Sequence, residues 1–377
     1  MKREIKFNSF YSSDNYTKNL EKLFADYELF RQKYFSNQCI ALLKDDYPDS
    51  EILLTHSATG ALEMIALALD IKEGDEVILP SYTFVSTANA FALRGAKLVF
   101  VDIELDTLGI DPLEVEKAIT PKTKAIVAMH YAGNACKVLE LKQIAEKHGV
   151  FLIEDAAMAF GSAYNGQALG TFGDFGVVSF DVTKHISATQ GGMLLINNKH
   201  YNSKAIDIYH VGTNRASFES GDIPYYEWVT IGSKFQMPES NASILMEQLA
   251  QQEEILKKLN FLSKHYYSGL EPIAKKWAFS LMPASQMEHN FHEFYIRLNS
   301  LEERNKLAAH FRKHKIEVLF HYIPLHSSSY AKDRFSVTDL KRTTSISNEL
   351  LRLPLHTKLA QEDIEYICRI LENYFQK

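Results

Sequence analysis

Cysteine is scarce in this chain. The three present, Cys39, Cys136 and Cys368, are odd in number and share no paired metal-ligand spacing, so neither a disulfide framework nor a metal site is expected. A reducing cytoplasm is the compartment that fits. Long apolar runs are missing as well: none approaches the roughly twenty residues of a bilayer span. Met1 to Phe10 alternates charged with apolar residues instead of building the apolar core of a signal peptide. No membrane location is therefore expected. Positive charge is not in excess, since 41 Lys and Arg face 47 Asp and Glu for a net charge of −6, with a pI near 6.2. A surface that displaces counterions from nucleic-acid phosphates needs the opposite balance, so no nucleic-acid partner is expected. Internal repeats and low-complexity tracts are also lacking.

What is present is the composition of a soluble globular protein, 46% hydrophobic and 23% charged. A length of 377 residues exceeds what one core comfortably serves, which predicts a large domain over 1–250 and a smaller one over 251–377. From about residue 51, short β-rich runs alternate with helical stretches, the pattern of parallel strands joined by crossover helices. Strands are expected at Glu76 to Leu79, Lys97 to Val101, Ala125 to Met129, Val150 to Ile153, Val177 to Phe180 and Met193 to Ile196. Helices are expected at Ala61 to Asp70, Ser86 to Arg94 and Val138 to His148, the last closed by Gly149. A charge-rich stretch, Ser240 to Ser268, reads as one connector helix. Beyond it, a strand at Phe294 to Leu298 and helices at Glu302 to His314 and Gln361 to Phe375 predict a second α/β unit.

Three segments offer chemistry. Ser57-Ala58-Thr59-Gly60-Ala61 joins a strand-like Ile52 to Leu54 to an apolar helix, and open amides at a helix start favour a phosphate. A plain N-cap explains the same residues. Glu154-Asp155 ends an apolar run, where open α/β sheets gather ligand-contacting residues, and a carboxylate there could keep a pyridinium nitrogen protonated. A cap on the next helix is the alternative. Lys184 lies in Ser179 to His185, in a loop after a strand; with 41 basic residues present, spacing alone does not single it out.

Taken in order, these segments resemble the DegT/DnrJ/EryC1/StrS family of sugar aminotransferases. The resemblance is dense across Pro80 to Phe91, Leu93 to Lys97 and Phe100 to Asp102. It continues through His130 to Gly133, Glu154 to Ala157, Ala168 to Thr171, Gly212 to Arg215, Phe320 to His326 and Leu351 to Leu355. It implies an aspartate aminotransferase type I fold with a large, mostly parallel mixed sheet, and pyridoxal 5'-phosphate (PLP) as cofactor. It further implies that Lys184 carries the cofactor and moves protons, that Asp155 pairs with the ring nitrogen and that Phe84 stacks on the ring. Ala58, Thr59 and Ser179 would bind the phosphate. The substrate so implied is a nucleotide-linked 4-keto-6-deoxyhexose, dTDP-4-keto-6-deoxyglucose, aminated at the expense of L-glutamate for surface polysaccharide synthesis. The resemblance also implies a homodimer with its sites at the subunit interface.

The chain departs from the family at several positions. Met158 stands where many members have a glutamine that bonds the cofactor's phenolic oxygen, and a thioether cannot donate that bond. His185 replaces an asparagine, Thr189-Gln190-Gly191-Gly192 replaces Gly-Glu-Gly-Gly, and Lys234 replaces the asparagine that reaches a neighbouring subunit's phosphate. The first fifty residues lack the family's glycine-rich stretch. His130, His321, Tyr322 and His326 are candidates for a sugar pocket, with Tyr322 and His326 ahead and His185 added beside them. Three rival readings stand next to the C4 aminotransferase: a C3 aminotransferase, a PLP-dependent sugar dehydratase, and a nucleotide-sugar-binding homologue that has lost catalysis. Dehydratases of this family carry histidine in place of the lysine, so Lys184 speaks against that reading.

Overall fold

The computed structural model describes residues 4–283, 289–335 and 339–376. Residues 1–3 and 377, the outer ends of the two expected domains, lie outside them.

The large sheet is built from β1 (Glu51–Thr55), β2 (Glu76–Pro80), β3 (Lys97–Val101), β4 (Thr123–Met129) and β5 (Phe151–Asp155). A small hairpin follows, β6 (Ala163–Tyr164) with β7 (Gln167–Ala168), and then β8 (Phe175–Ser179) and β9 (Gly192–Ile196) complete the sheet. The order across it is β1-β9-β8-β5-β4-β2-β3. Strands β2, β8 and β9 are buried along their whole length, because helices cover both faces and leave no polar side to alternate. The two-residue period is still legible in what each side chain touches. On β4, Ile126 and Ala128 join one apolar layer while Ala125 and Val127 join the other.

The sheet is mixed and mostly parallel, as expected: β9 alone of the strands read from the sequence in it runs antiparallel, pairing so with both β8 and β1. The reason is the connection: residues 180–191 carry no crossover helix, so the chain turns over at the carboxyl end of β8 and comes straight back. That returning loop contains Lys184.

The expected connector is two helices, Glu239–Ala250 and Gln252–Trp277, parted at Gln251, whose backbone leaves helical values. The first packs on helix Tyr34–Asp46 and the second on helix Gln361–Phe375. Helix Gln252–Trp277 also meets a three-stranded antiparallel sheet of β10 (Ser280–Leu281), β11 (Phe294–Arg297) and β12 (Leu350–Leu353), where its Tyr266 stacks on Phe294 at 4.7 Å between ring centres. The start of the described chain reaches across to the C-terminal unit: Ile5 bridges Ile316 in parallel and Lys6 pairs with Glu317, while Asn8 bonds Thr183 of the large domain.

Candidate active site

Parallel strands deliver their carboxyl ends to one side of a sheet, and loops beyond those ends form a crevice. Here that crevice is a cavity of about 630 Å³. Ala58, Thr59, Phe84, Asp155, Met158, Ser179, Lys184 and Tyr322 all line it, although they come from positions as far apart as 58 and 322.

Each is set by local chemistry. Helix Ala58–Ala68 is capped by Ser57, whose Oγ accepts from Gly60 N at 3.0 Å. The amides of Ala58 and Thr59 precede any intrahelical acceptor and face the cavity end of the helix. Thr59 Oγ1 donates to Ser86 Oγ at 2.7 Å. Gly192 makes this corner compact: a Cβ there would sit 2.4 Å from Ala58 N. Phe84 caps helix Val85–Ala92 and leaves 58% of its surface exposed, a large apolar face open in a cleft.

Strand alternation separates Glu154 from Asp155. Asp155 ends β5 in the cavity, where Oδ2 accepts from Thr87 Oγ1 at 2.6 Å and Oδ1 from Ala157 N at 3.1 Å. Glu154 points the other way and accepts from the amides of Gly170, Phe172 and Gly173 at 2.9, 2.5 and 2.7 Å. It also meets His130 Nε2 at 2.9 Å. His130 Nδ1 accepts from Cys136 N at 3.2 Å, which assigns the imidazole proton to Nε2. His130 is therefore a strut for the loop over β8, and not part of the cavity.

Lys184 is half-buried, and its amine forms no hydrogen bond or ion pair among the described residues. Burial lowers its pKa from the ordinary lysine value, against the opposing pull of Glu293 and then Asp155. A lysine so placed is easier to obtain as the neutral, nucleophilic amine.

Three predicted residues lie outside the cavity lining. His185 turns away: its Nε2 donates to Phe160 O at 3.1 Å and its Nδ1 lies 3.4 Å from His292 Nδ1. Burial lowers its pKa to about 3, so it stays neutral. His326 is buried, with Nδ1 2.7 Å from Ser81 Oγ, which also accepts its backbone amide at 2.9 Å. It ties the loop after Pro324 to the end of β2. Lys234 is exposed and bridges His210 through its backbone. Of the other two histidines weighed for a sugar pocket, His321 lines the cavity and His130 does not.

The structure adds groups that local reading passes over. Glu293 and Arg352 are buried in the cavity wall and form an ion pair through Oε1 and Nη2. Arg352 Nη1 contacts His321 Nε2, and the guanidinium lies 4.6 Å from the centre of the Phe7 ring. Burial raises the Glu293 pKa, opposed by Arg352 and Lys184. Burial, Arg352 and Lys184 together lower that of His321. Asn8 closes the rim, donating from Nδ2 to Thr183 O at 2.6 Å. Arg352 had a signal as part of the Leu351 to Leu355 motif and His321 as part of Phe320 to His326; Phe7, Asn8 and Glu293 had none. Tyr322 stacks on His321 at 3.9 Å and donates to Met158 Sδ at 3.7 Å, so the thioether serves as an acceptor.

Comparison with known proteins follows the same line. Residues 46–372 match the DegT/DnrJ/EryC1/StrS aminotransferase family. An uncharacterised protein of Methanocaldococcus jannaschii is 32% identical over 315 residues, 82% of each chain. Among solved structures, Helicobacter pylori PseC, an aminotransferase of pseudoaminic acid biosynthesis, superposes with a TM-score of 0.90 over 99% of this chain and 100% of its own, at 22% identity. A Streptococcus pneumoniae protein assigned as a sugar aminotransferase, Spr1654 in its PMP form, reaches 0.87 over 99% and 98% of the two chains at 26% identity. The fold is that of the PLP-dependent aminotransferases, as the sequence resemblance implied.

Proposed function

Since the chain belongs to the DegT/DnrJ/EryC1/StrS aminotransferase family, we propose that it aminates the C4 ketone of a nucleotide-linked 4-keto-6-deoxyhexose, dTDP-4-keto-6-deoxyglucose. L-glutamate is the donor, 2-oxoglutarate the second product and PLP the cofactor. The observation that carries this reading is the convergence of Lys184, from the loop after β8, and Asp155, from the end of β5, on one cavity.

When bound, PLP supplies an electron sink for the carbanion formed at the donor α-carbon. The residues present fit it. The amides of Ala58 and Thr59, the Thr59 hydroxyl and Ser179 offer donors to a phosphate at a positive helix end. The exposed Phe84 ring offers a flat apolar face. Asp155, held by Thr87 and Ala157, keeps a ring nitrogen protonated. Lys184 Nζ takes the proton from the donor α-carbon and later returns one to the carbon that receives the amine. Met158 faces this region but has no proton to donate. Tyr322, whose hydroxyl it accepts, and His321 form the polar wall available to the sugar.

A homodimer completes the reading. Val211, Tyr225, Tyr226, Trp228, Val229 and Ile231 are all exposed, Trp228 by 77%, and such a run of apolar surface suits an interface. Lys234 lies at its end, suited to a partner's phosphate as a point charge.

The deciding experiment incubates the chain with PLP, L-glutamate and dTDP-4-keto-6-deoxyglucose. An amino sugar formed only with glutamate supports the reading, and Lys184→Ala should abolish it. Glutamate-independent loss of water would favour the dehydratase, and no turnover the degenerate homologue. NMR of the product separates C4 from C3 amination.

A further inference from the structure

An aminotransferase working as proposed above must admit two unlike molecules to one cavity in turn, a dicarboxylic amino donor and an uncharged sugar ring. A guanidinium placed to receive a carboxylate would stand buried and uncompensated whenever the sugar is present. The cavity of this chain contains both the guanidinium and a remedy. Among the described lining residues Arg352 is the one arginine and Lys184 the one lysine, and Lys184 is committed to proton transfer.

We propose that Arg352 receives a carboxylate of the amino donor, and that Glu293 is a built-in substitute for that carboxylate, holding Arg352 while the sugar is bound and yielding it when the donor arrives. The inference rests on the aminotransferase reading and deepens it.

The hold on each partner differs as this exchange requires. Arg352 is anchored. Its backbone N donates to Leu319 O at 2.7 Å and its carbonyl accepts from Leu319 N at 3.3 Å. Its guanidinium is set between the Phe7 ring and His321. Glu293 is not anchored in this way. It lies just before β11, outside the paired register that begins at Phe294 and Leu353. Apart from its ion pair with Arg352, neither carboxylate oxygen has a hydrogen-bond partner, and His292 and His321 stand off at 3.8 and 3.9 Å. Glu154, by contrast, is gripped by three backbone amides. Arg352 Nε is also buried and unpartnered, so the guanidinium retains a donor beside the one Glu293 occupies. An incoming carboxylate could use both as a bidentate pair, where Glu293 uses one. Glu293 can therefore be displaced at the loss of a single contact, and the arriving acid gains two.

The test separates binding from turnover. Glutarate, a dicarboxylate with no amine to transfer, is titrated calorimetrically into the PLP-loaded enzyme and its variants. Glu293→Gln should tighten glutarate by about tenfold, since an internal competitor is removed. It should lower KM for glutamate and raise KM for the keto sugar. Arg352→Gln should abolish glutarate binding, and Arg352→Lys should restore it in part. Unchanged or weaker glutarate binding in Glu293→Gln, in a protein with wild-type circular dichroism and melting, overturns the inference. A wild-type enzyme that binds glutarate but never takes an amine from glutamate would instead overturn the aminotransferase reading.

Discussion

Glu154 and Asp155 are consecutive in the chain and serve opposite sides of β5. Glu154 clamps three backbone amides behind the sheet, while Asp155 enters the cavity with Thr87 and Ala157 holding its two oxygens. One residue along a strand reverses the direction of a side chain. The two carboxylates should therefore fail in different ways when changed.

Asp155→Asn should preserve the fold and lower kcat by roughly two to three orders of magnitude, the loss typical of removing one charge-stabilising group. Steady-state kinetics with unchanged thermal melting checks this. Thr87→Val should give a smaller loss, because it frees Asp155 Oδ2 without removing its charge.

Glu154→Gln should act on stability. An amide turns an NH2 group toward donors that need an acceptor, and leaving buried backbone amides unpaired costs about 1 to 3 kcal/mol each. Urea unfolding should show a clear drop in midpoint at constant slope, with any remaining folded enzyme still able to bind PLP.

Lys184 should react with PLP as the neutral amine, so the rate of cofactor capture by the apoenzyme should climb with pH and level off below the range of an ordinary lysine. Burial lowers its pKa, and Glu293 is the foremost group working against that shift. Glu293→Gln should therefore move the plateau to lower pH. A stopped-flow pH profile that is unmoved, or moves upward, would refute this.

Acid should destabilise the enzyme through its buried neutral histidines. Burial lowers the pKa of His185 to about 3 and of His289 to about 4, against an ordinary 6.5. Below pH 6.5 the unfolded chain takes up protons that the folded chain refuses. Stability is thus full above that point and falls as pH drops toward 4 and 3, by up to about 1.4 kcal/mol per pH unit for each histidine. His185→Asn should flatten the dependence of Tm on pH across that window.

The proposed homodimer through the apolar stretch of residues 211–231 predicts that the wild type sediments as a dimer and Trp228→Asp as a monomer in sedimentation velocity. Activity should fall with it, and Lys234→Ala should weaken PLP binding without changing the oligomeric state.

Much of this could be read locally. Strand ends, the Ser57 cap and the position of Asp155 are consequences of short-range pattern, and the structure brings the residues they pointed to into one cavity. His326 and His185 show where local reading stops. Both are polar rings in apparently suitable motifs, yet Ser81 and Phe160, far away in the chain, claim their nitrogens. Glu293 left no local trace at all.

The sequence by itself determined the α/β class and most strand positions, because two-residue alternation and strand-end loops are properties of neighbouring residues; Lys184, Asp155 and Phe84 were marked together only by the family resemblance, and the fold brings them to one cavity. Only the tertiary structure decided that β9 reverses, that the first residues return to close the cavity, and that Phe7, Glu293, His321 and Arg352 meet. Those contacts depend on the antiparallel register of β11 with β12 and on the pairing of Ile5 with Ile316, more than three hundred residues away, and neither is written in the spacing of adjacent residues.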